Sequence, residues 1–242
     1  MSGEINIEPM TEDSILWRCL HLGPISRRFL NDLPREVPSE IQVDWAKCRE
    51  RNIPLLTKLT RTYGACAILA RVKDRIVGQL RFYPRVIWDM ESAGEMCLLQ
   101  DFPNGPDEDF VNTDFPPLER IQDKILAVHC LMTGSPQQKE NPYLRKGVGS
   151  RLVKALIHWA KERGWERIQA DAFEDIPLIY EMTGSAGRIF WEKLGFYLED
   201  RHPHPYLQDP SEFLDQLLAQ AASAGISPDR AKDRLIMRLD LG

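Results

Sequence analysis

At 242 residues, with 43% apolar and 28% charged side chains, the chain has the composition of an ordinary globular protein, long enough for one large domain. Its net charge of −5 argues against non-specific nucleic-acid binding, which depends on neutralising phosphates. No apolar run approaches the roughly 20 residues of a membrane span, and the polar start MSGEINIEP does not read as a signal peptide. Five scattered cysteines (Cys19, Cys48, Cys66, Cys97 and Cys130) contain no C-x-x-C pair and read as reduced thiols of a cytoplasmic protein.

In chain order, EINIEP alternates as a short strand, and TEDS is a helix start. Residues 15–60 read as helical pieces broken at Gly23-Pro24, Pro34, Pro38 and Pro54. ACAILARV and RIVGQLRFY flank Lys73-Asp74 and predict a β-hairpin. From Val86 to Glu119 there are nine acidic residues and no Lys or Arg, which predicts a looped insertion. KILAVHCLMT predicts a buried strand ending at Gly134, followed by the polar loop GSPQQKENPY. Next, Leu152, Val153, Leu156, Ile157 and Ala160 form one helical face that stops at Gly164. ERIQADAF alternates as a strand, SAGRIFWEKLG predicts a helix closed by Gly195, and FYLED a short strand. Asp209-Pro210-Ser211-Glu212 has the form of a capping box with proline at the first helical position. The helix it opens carries Phe213, Leu214, Leu217, Leu218 and Ala221 on a face that reads as core or as a dimer contact. Leu235, Met237 and Leu239 alternate in a closing strand, completing a mixed sheet with helices packed on it.

The stretch Asn141–Leu152 places Arg145, Lys146 and Arg151 around Gly147 and Gly149 at the start of a helix. The positive end of the helix dipole disfavours cations there by about 0.3–1 kcal/mol each. Either these side chains are solvated around a glycine-assisted turn, or an anion sits against the free amides of the first turn. A Walker loop is excluded by its missing upstream glycine, and the dinucleotide fingerprint by Leu152 where a third glycine belongs.

The segment YLRKGVGSRLVKALIHWAKERGWERI followed by GRIFWEKLGF resembles the GNAT superfamily of N-acetyltransferases, over roughly Ile125 to Asp200. The resemblance implies an α+β or α/β fold: a mixed, largely antiparallel central sheet of about seven strands with flanking helices. It implies a single domain over residues 1–242, with insertions near 85–118 and 202–231. The implied activity is transfer of acetyl from acetyl-CoA to a primary amine of a small-molecule or peptide acceptor. No nucleic-acid, membrane or metal partner is expected. By analogy, Arg145, Lys146, Gly147, Val148, Gly149 and Ser150 hold the pyrophosphate of coenzyme A. Leu131, Met132 and Thr133 pair with the pantetheine arm, and an amide there polarises the thioester carbonyl.

Three positions depart from the family pattern. Leu144 stands where Arg or Gln is usual, the loop from Gly134 to Tyr143 is long, and Trp191 occupies the place of a tyrosine acid. The base expected to deprotonate the ammonium is His129, on the pantetheine-pairing strand, the alternative being a histidine satisfied within the sheet; Glu174 and Asp175, just past the next strand, are second choices, or else part of a solvated loop. Cys130 is expected to point away from His129, because neighbours on a strand face opposite sides. The alternative is a non-catalytic acyl-CoA-binding or regulatory module, which Trp191 favours. The acidic stretch 86–119 is expected either to steer a cationic acceptor or to serve only as a solvated loop.

Overall fold

The computed structural model describes residues 4–17, 25–26, 45–90, 112–134, 141–183, 186–204 and 207–242. Its sheet strands are β1 (Asn6–Pro9), β2 (Ile25–Ser26), β3 (Ala67–Val72), β4 (Arg75–Pro84), β5 (Ile125–Thr133), β6 (Arg167–Ala172), β7 (Tyr197–Pro203) and β8 (Asp233–Asp240). The main order is β1-β3-β4-β5-β6-β8-β7, with the two-residue β2 pairing the start of β4. Among these strand pairings only β5–β6 is parallel. The sheet is therefore two antiparallel halves joined along one parallel seam. That is the mixed, largely antiparallel seven-stranded arrangement expected from the sequence.

The helices form where the apolar period is 3.6. Helix α1 (Trp45–Tyr63) buries Cys48, Asn52, Leu55, Leu56, Leu59 and Tyr63 on one side. It runs through Pro54, which was expected to break it. An interior proline costs about 3 kcal/mol, and each fully buried leucine returns about 1.5–3 kcal/mol, so the apolar face outweighs the lost hydrogen bond. The insertion likewise does not begin as a loop: α2 (Arg85–Met90) follows β4 directly, and a 3-10 turn spans Leu118–Arg120. Positions 91–111, which hold most of its acidic residues, lie outside the described residues, as do Pro34 and Pro38.

Helix α3 (Val148–Glu162) connects β5 to β6 and packs on β1, β3, β4 and β5. Its Leu152, Val153, Leu156 and Trp159 are buried, and the Trp159 ring meets Phe82 at 4.9 Å. On the other face of β4, the buried Arg81 donates Nη2 to Leu16 O at 2.9 Å. β4 is thus covered on both sides, and the core runs continuously under both halves of the sheet.

A second, smaller apolar cluster lies beyond β6. It joins α4 (Pro177–Thr183), α6 (Glu212–Ser223) and α7 (Pro228–Ala231) through Ile176, Ile179, Leu214, Leu217 and Ala231. The face of α6 is therefore core within the chain, the first of the two readings given above. Its cap is Ser211, whose Oγ accepts from Leu214 N at 3.1 Å, so Pro210 lies ahead of the helix and not at its first position. The strand read from FYLED extends through His202 and Pro203, so the chain leaves the common core later than expected. A short helix, α5 (Arg188–Glu192), precedes β7.

Candidate active site

The seam opens into a fork. β5 pairs with β6 from Ile125 to Val128 and no further, while β4 continues beside β5 as far as Thr133. Gly134 N donates to Val77 O at 2.7 Å. Because peptide groups alternate direction along a strand, the Leu131 and Thr133 groups then face away from β4. Asn141 confirms the direction at one of them, donating Nδ2 to Thr133 O at 2.6 Å from the outer side. The Leu131 N–H and C=O thus line the open edge of β5, with no strand of the sheet beside them. Met132 lies opposite Gln79, with its peptide on the β4 side.

The same fork receives the N-terminus of α3. Gly147 caps it with φ of 72°, a left-handed conformation that costs a side chain about 1–2 kcal/mol. Arg145 shares that region at φ of 56°. No side chain caps the helix, and its first ladder bond is Arg151 N to Gly147 O at 3.0 Å. The amides of Val148, Gly149 and Ser150 therefore have no partner within the helix. A Cβ on Gly149 would stand 3.9 Å from Leu131 Cδ2 and 3.7 Å from the Phe190 ring. Gly149 thus connects the amide-rich turn to the open strand edge. Arg145 and Lys146 are exposed and form no ion pair among the described residues. Arg151 is directed elsewhere, donating to Ile5 O at 2.7 Å.

His129 sits where β5 gains a residue. Arg81 faces Cys130 and Phe82 faces Val128, leaving His129 as the extra residue of a β-bulge. Its ring lies 5.8 Å from that of Tyr83, and Cys130 Sγ lies 3.6 Å from Gln79 Nε2. Gln79 and Tyr83 are four residues apart on β4 and share a face, so His129 and Cys130 lie on one face of the sheet. The alternation expected of adjacent strand residues fails here because the bulge inserts one residue into it.

The other candidates occupy different settings. Glu174 is buried, not solvated: Oε1 accepts from Arg230 Nη2 at 2.7 Å and Nε at 3.0 Å, and Arg201 lies 3.6 Å away. Asp175 accepts from Ile189 N at 2.8 Å and so caps α5. Trp191 is 2% exposed among Phe190 and Phe196, and its Nε1 has no hydrogen-bond partner among the described residues. His202 lies 3.2 Å from Asp200, while the His204 ring packs on Phe173. Burial, reinforced by Arg234, lowers the His204 pKa below the ordinary imidazole value. Asp171, which sequence reasoning did not single out, is the next residue of β6 past the seam. Its only signal was an outward carboxylate in the alternation of ERIQADAF, a pattern shared by most surface strands.

Residues 140–179, which hold the turn, α3 and β6, match the family model described as the acetyltransferase (GNAT) family. Over that segment the chain is similar to the GNAT family. The match spans the part of the chain that shapes the fork. Among solved structures, the chain is similar to an acetyltransferase of the GNAT family from Streptococcus pneumoniae. That pair shares 15% identity and a TM-score of 0.49, covering 99% of this chain and 100% of the other. The ribosomal-protein-S18-alanine N-acetyltransferase from Escherichia coli shares 9% identity with a TM-score of 0.47, covering 99% and 95%. For the IAA acetyltransferase from Bacillus cereus the values are 10% and 0.43, covering 98% and 99%. At such identities and scores these likenesses carry no argument about activity. No curated protein sequence matches the chain.

Proposed function

We propose that the protein transfers an acetyl group from acetyl-CoA to a primary amine. One observation carries this reading: the uncapped first turn of α3 meets the unpaired edge of β5, with Gly149 between them. The turn supplies what a pyrophosphate needs, namely amide donors at the positive end of a helix and a backbone that permits close approach. Arg145, Lys146, Gly147, Val148, Gly149 and Ser150 would hold that group. The edge from Leu131 to Thr133 offers the Leu131 peptide to an extended amide-bearing arm, as an added strand would use it. Bound there, acetyl-CoA would supply an activated acetyl thioester, and the Leu131 N–H is the donor available to polarise its carbonyl.

His129 is the group we assign to proton removal from the acceptor ammonium. It lies beside the fork, on the face of the sheet opposite α3. Glu174 is poorly suited to the role because its carboxylate is engaged by two arginines. Trp191 is packed in the core, and its indole N–H is no practical acid; the departing thiolate then takes its proton from water or from the released acceptor proton. In this reading residues 1–242 are one cytoplasmic domain, with α6 and α7 added beside the catalytic end of the sheet.

Trp191 also favours a second reading, a module that binds acyl-CoA without turning it over. Calorimetry with coenzyme A and thiol release from acetyl-CoA over an amine panel distinguish the two. Gly149→Leu is expected to weaken coenzyme A binding by about tenfold or more, because a branched side chain would fill the approach to the turn and the Leu131 edge. Unchanged affinity would remove both readings of the turn. Binding without thiol release would leave the module.

A further inference from the structure

Helix α5 is too short to hold itself in place, so its neighbours decide where it sits. Its five residues complete little more than one turn, and so short a helix is barely supported by its own hydrogen bonds. Its N-cap is Gly187, which has no side chain to satisfy the free amides of the first turn. That bond comes from outside the helix: Asp175 Oδ2 accepts from Ile189 N at 2.8 Å. A second tie lies beside it, where Phe173 O accepts from Arg188 N at 2.9 Å at an isolated parallel bridge between Phe173 and Gly187. The segment that follows β6 thus fixes the start of α5.

Gly187 is needed there for room and not for backbone freedom. Its φ of −74° suits any residue, but a Cβ would collide with the Asp175 carboxylate. Carboxylate and glycine are therefore a matched pair. What they hold in position is Phe190. Its Cε2 and Cζ lie 3.7 Å from where a Cβ on Gly149 would stand, and Leu131 Cδ2 lies 3.9 Å from the same point. An arm leaving the turn for the Leu131 edge therefore passes over Gly149 with the Phe190 ring as one wall. Behind that ring, buried Trp191 meets it edge-on at 5.2 Å, and Phe196 meets Trp191 at 5.0 Å.

Resting on the acetyl-CoA reading above, we propose that Asp175 is a positioning residue for the cofactor. Through α5 it holds Phe190 as the apolar wall of the passage from the turn to the Leu131 edge. It is not the alternative base expected from the sequence, because its carboxylate is engaged with a backbone amide. An amide oxygen in the same place accepts that bond equally, whereas a base needs the carboxylate itself. Glu174, one residue earlier, serves the fold: its hydrogen bonds go to Arg230 of α7, with Arg201 of β7 alongside.

The test measures coenzyme A affinity by calorimetry, and thiol release from acetyl-CoA with the best amine of the panel, on the full chain. D175A should weaken coenzyme A binding by about fivefold or more, the scale of a lost helix cap. It should raise the KM for acetyl-CoA and leave kcat and the acceptor KM within about twofold. G187A should do the same by displacing the carboxylate. D175N should restore wild-type affinity, because its side-chain oxygen still accepts from Ile189 N. F190A should weaken binding to a similar degree, and D175A combined with F190A should be no worse than F190A alone, since the carboxylate acts through the ring. E174Q controls for loosened packing: it should lower the thermal midpoint and leave the KM for acetyl-CoA unchanged. Additive losses in the double variant, a KM in E174Q that rises as it does in D175A, or a loss of kcat in D175N would each overturn the proposal, the last by making Asp175 a base. If the wild-type protein binds coenzyme A and D175A binds it equally well, only the positioning assignment fails. If the wild-type protein binds no coenzyme A, the acetyltransferase reading falls and this one with it.

Discussion

His129, the base assigned in the proposed reaction, sits in an environment that differs from what an unbroken strand would provide. The bulge lets β5 present His129 and Cys130 on one face, with Tyr83 against the imidazole. If His129 is the base, His129→Ala lowers the acetyl-transfer rate by about 10²–10⁴-fold while acetyl-CoA affinity is kept. The deficit shrinks at high pH, where free amine is already abundant. Near-normal turnover of the variant at neutral pH would move the role to solvent. The glycine spacing pointed to the 145–150 turn as a local motif, whereas His129 was named only through the resemblance of its strand to a pantetheine-pairing strand. The pairing of Asp171 with Arg234 was not legible, since the two meet only through the β6–β8 ladder. The burial of Glu174 was hidden for the same reason: Arg230 lies 56 residues along the chain.

Among the elements, apolar periodicity was a good guide wherever one face is buried, as in α3, β6 and β8. It failed where a local rule was outvoted by packing, as at Pro54 inside α1. It also failed where two caps competed, as at the start of α6. Ser211 has an extended backbone, and its hydroxyl satisfies one of the orphan amides of the first turn. Ser211→Ala should therefore cost about 1 kcal/mol, measured by denaturant unfolding, whereas Asp209→Ala should cost little. Equal losses for the two would restore the cap predicted from the sequence. The long loop before α3 is tied at its ends in a way composition could not show. Gly134 turns the chain at φ of 70°, and a Cβ there would collide with the Asn141 side chain. Asn141 in turn holds Thr133 O and Tyr143 N. Gly134→Ala is expected to destabilise the chain by more than 1 kcal/mol and to weaken coenzyme A binding, because the same clasp sets the end of β5 against the turn. Wild-type affinity in a folded G134A would separate the loop from the site.

For the molecule as a whole, the buried titratable groups predict an alkaline limit to stability. Burial pushes the Cys66 thiol up to about 11 and raises the Tyr63 phenol, whose hydroxyl donates to Pro116 O at 2.8 Å. The unfolded chain releases the Cys66 proton first, at an ordinary thiol pKa near 8.5. Above that pH the native state therefore binds more protons than the unfolded one, and stability falls with rising pH. The thermal midpoint should drop between about pH 9 and 11, and Cys66→Ala should flatten that drop. A midpoint constant over this window in the wild-type protein would contradict the assignment. The fork described above also divides the labour of folding. The hairpin of β3 and β4 needs only a short turn, but the four-residue seam from Ile125 to Val128 can close only after α3 has crossed over. Contacts that must wait for such a crossover form late. The last step of self-assembly thus falls beside the fork, and native-state hydrogen exchange should detect two separately protected blocks of amides that meet at β5 and β6.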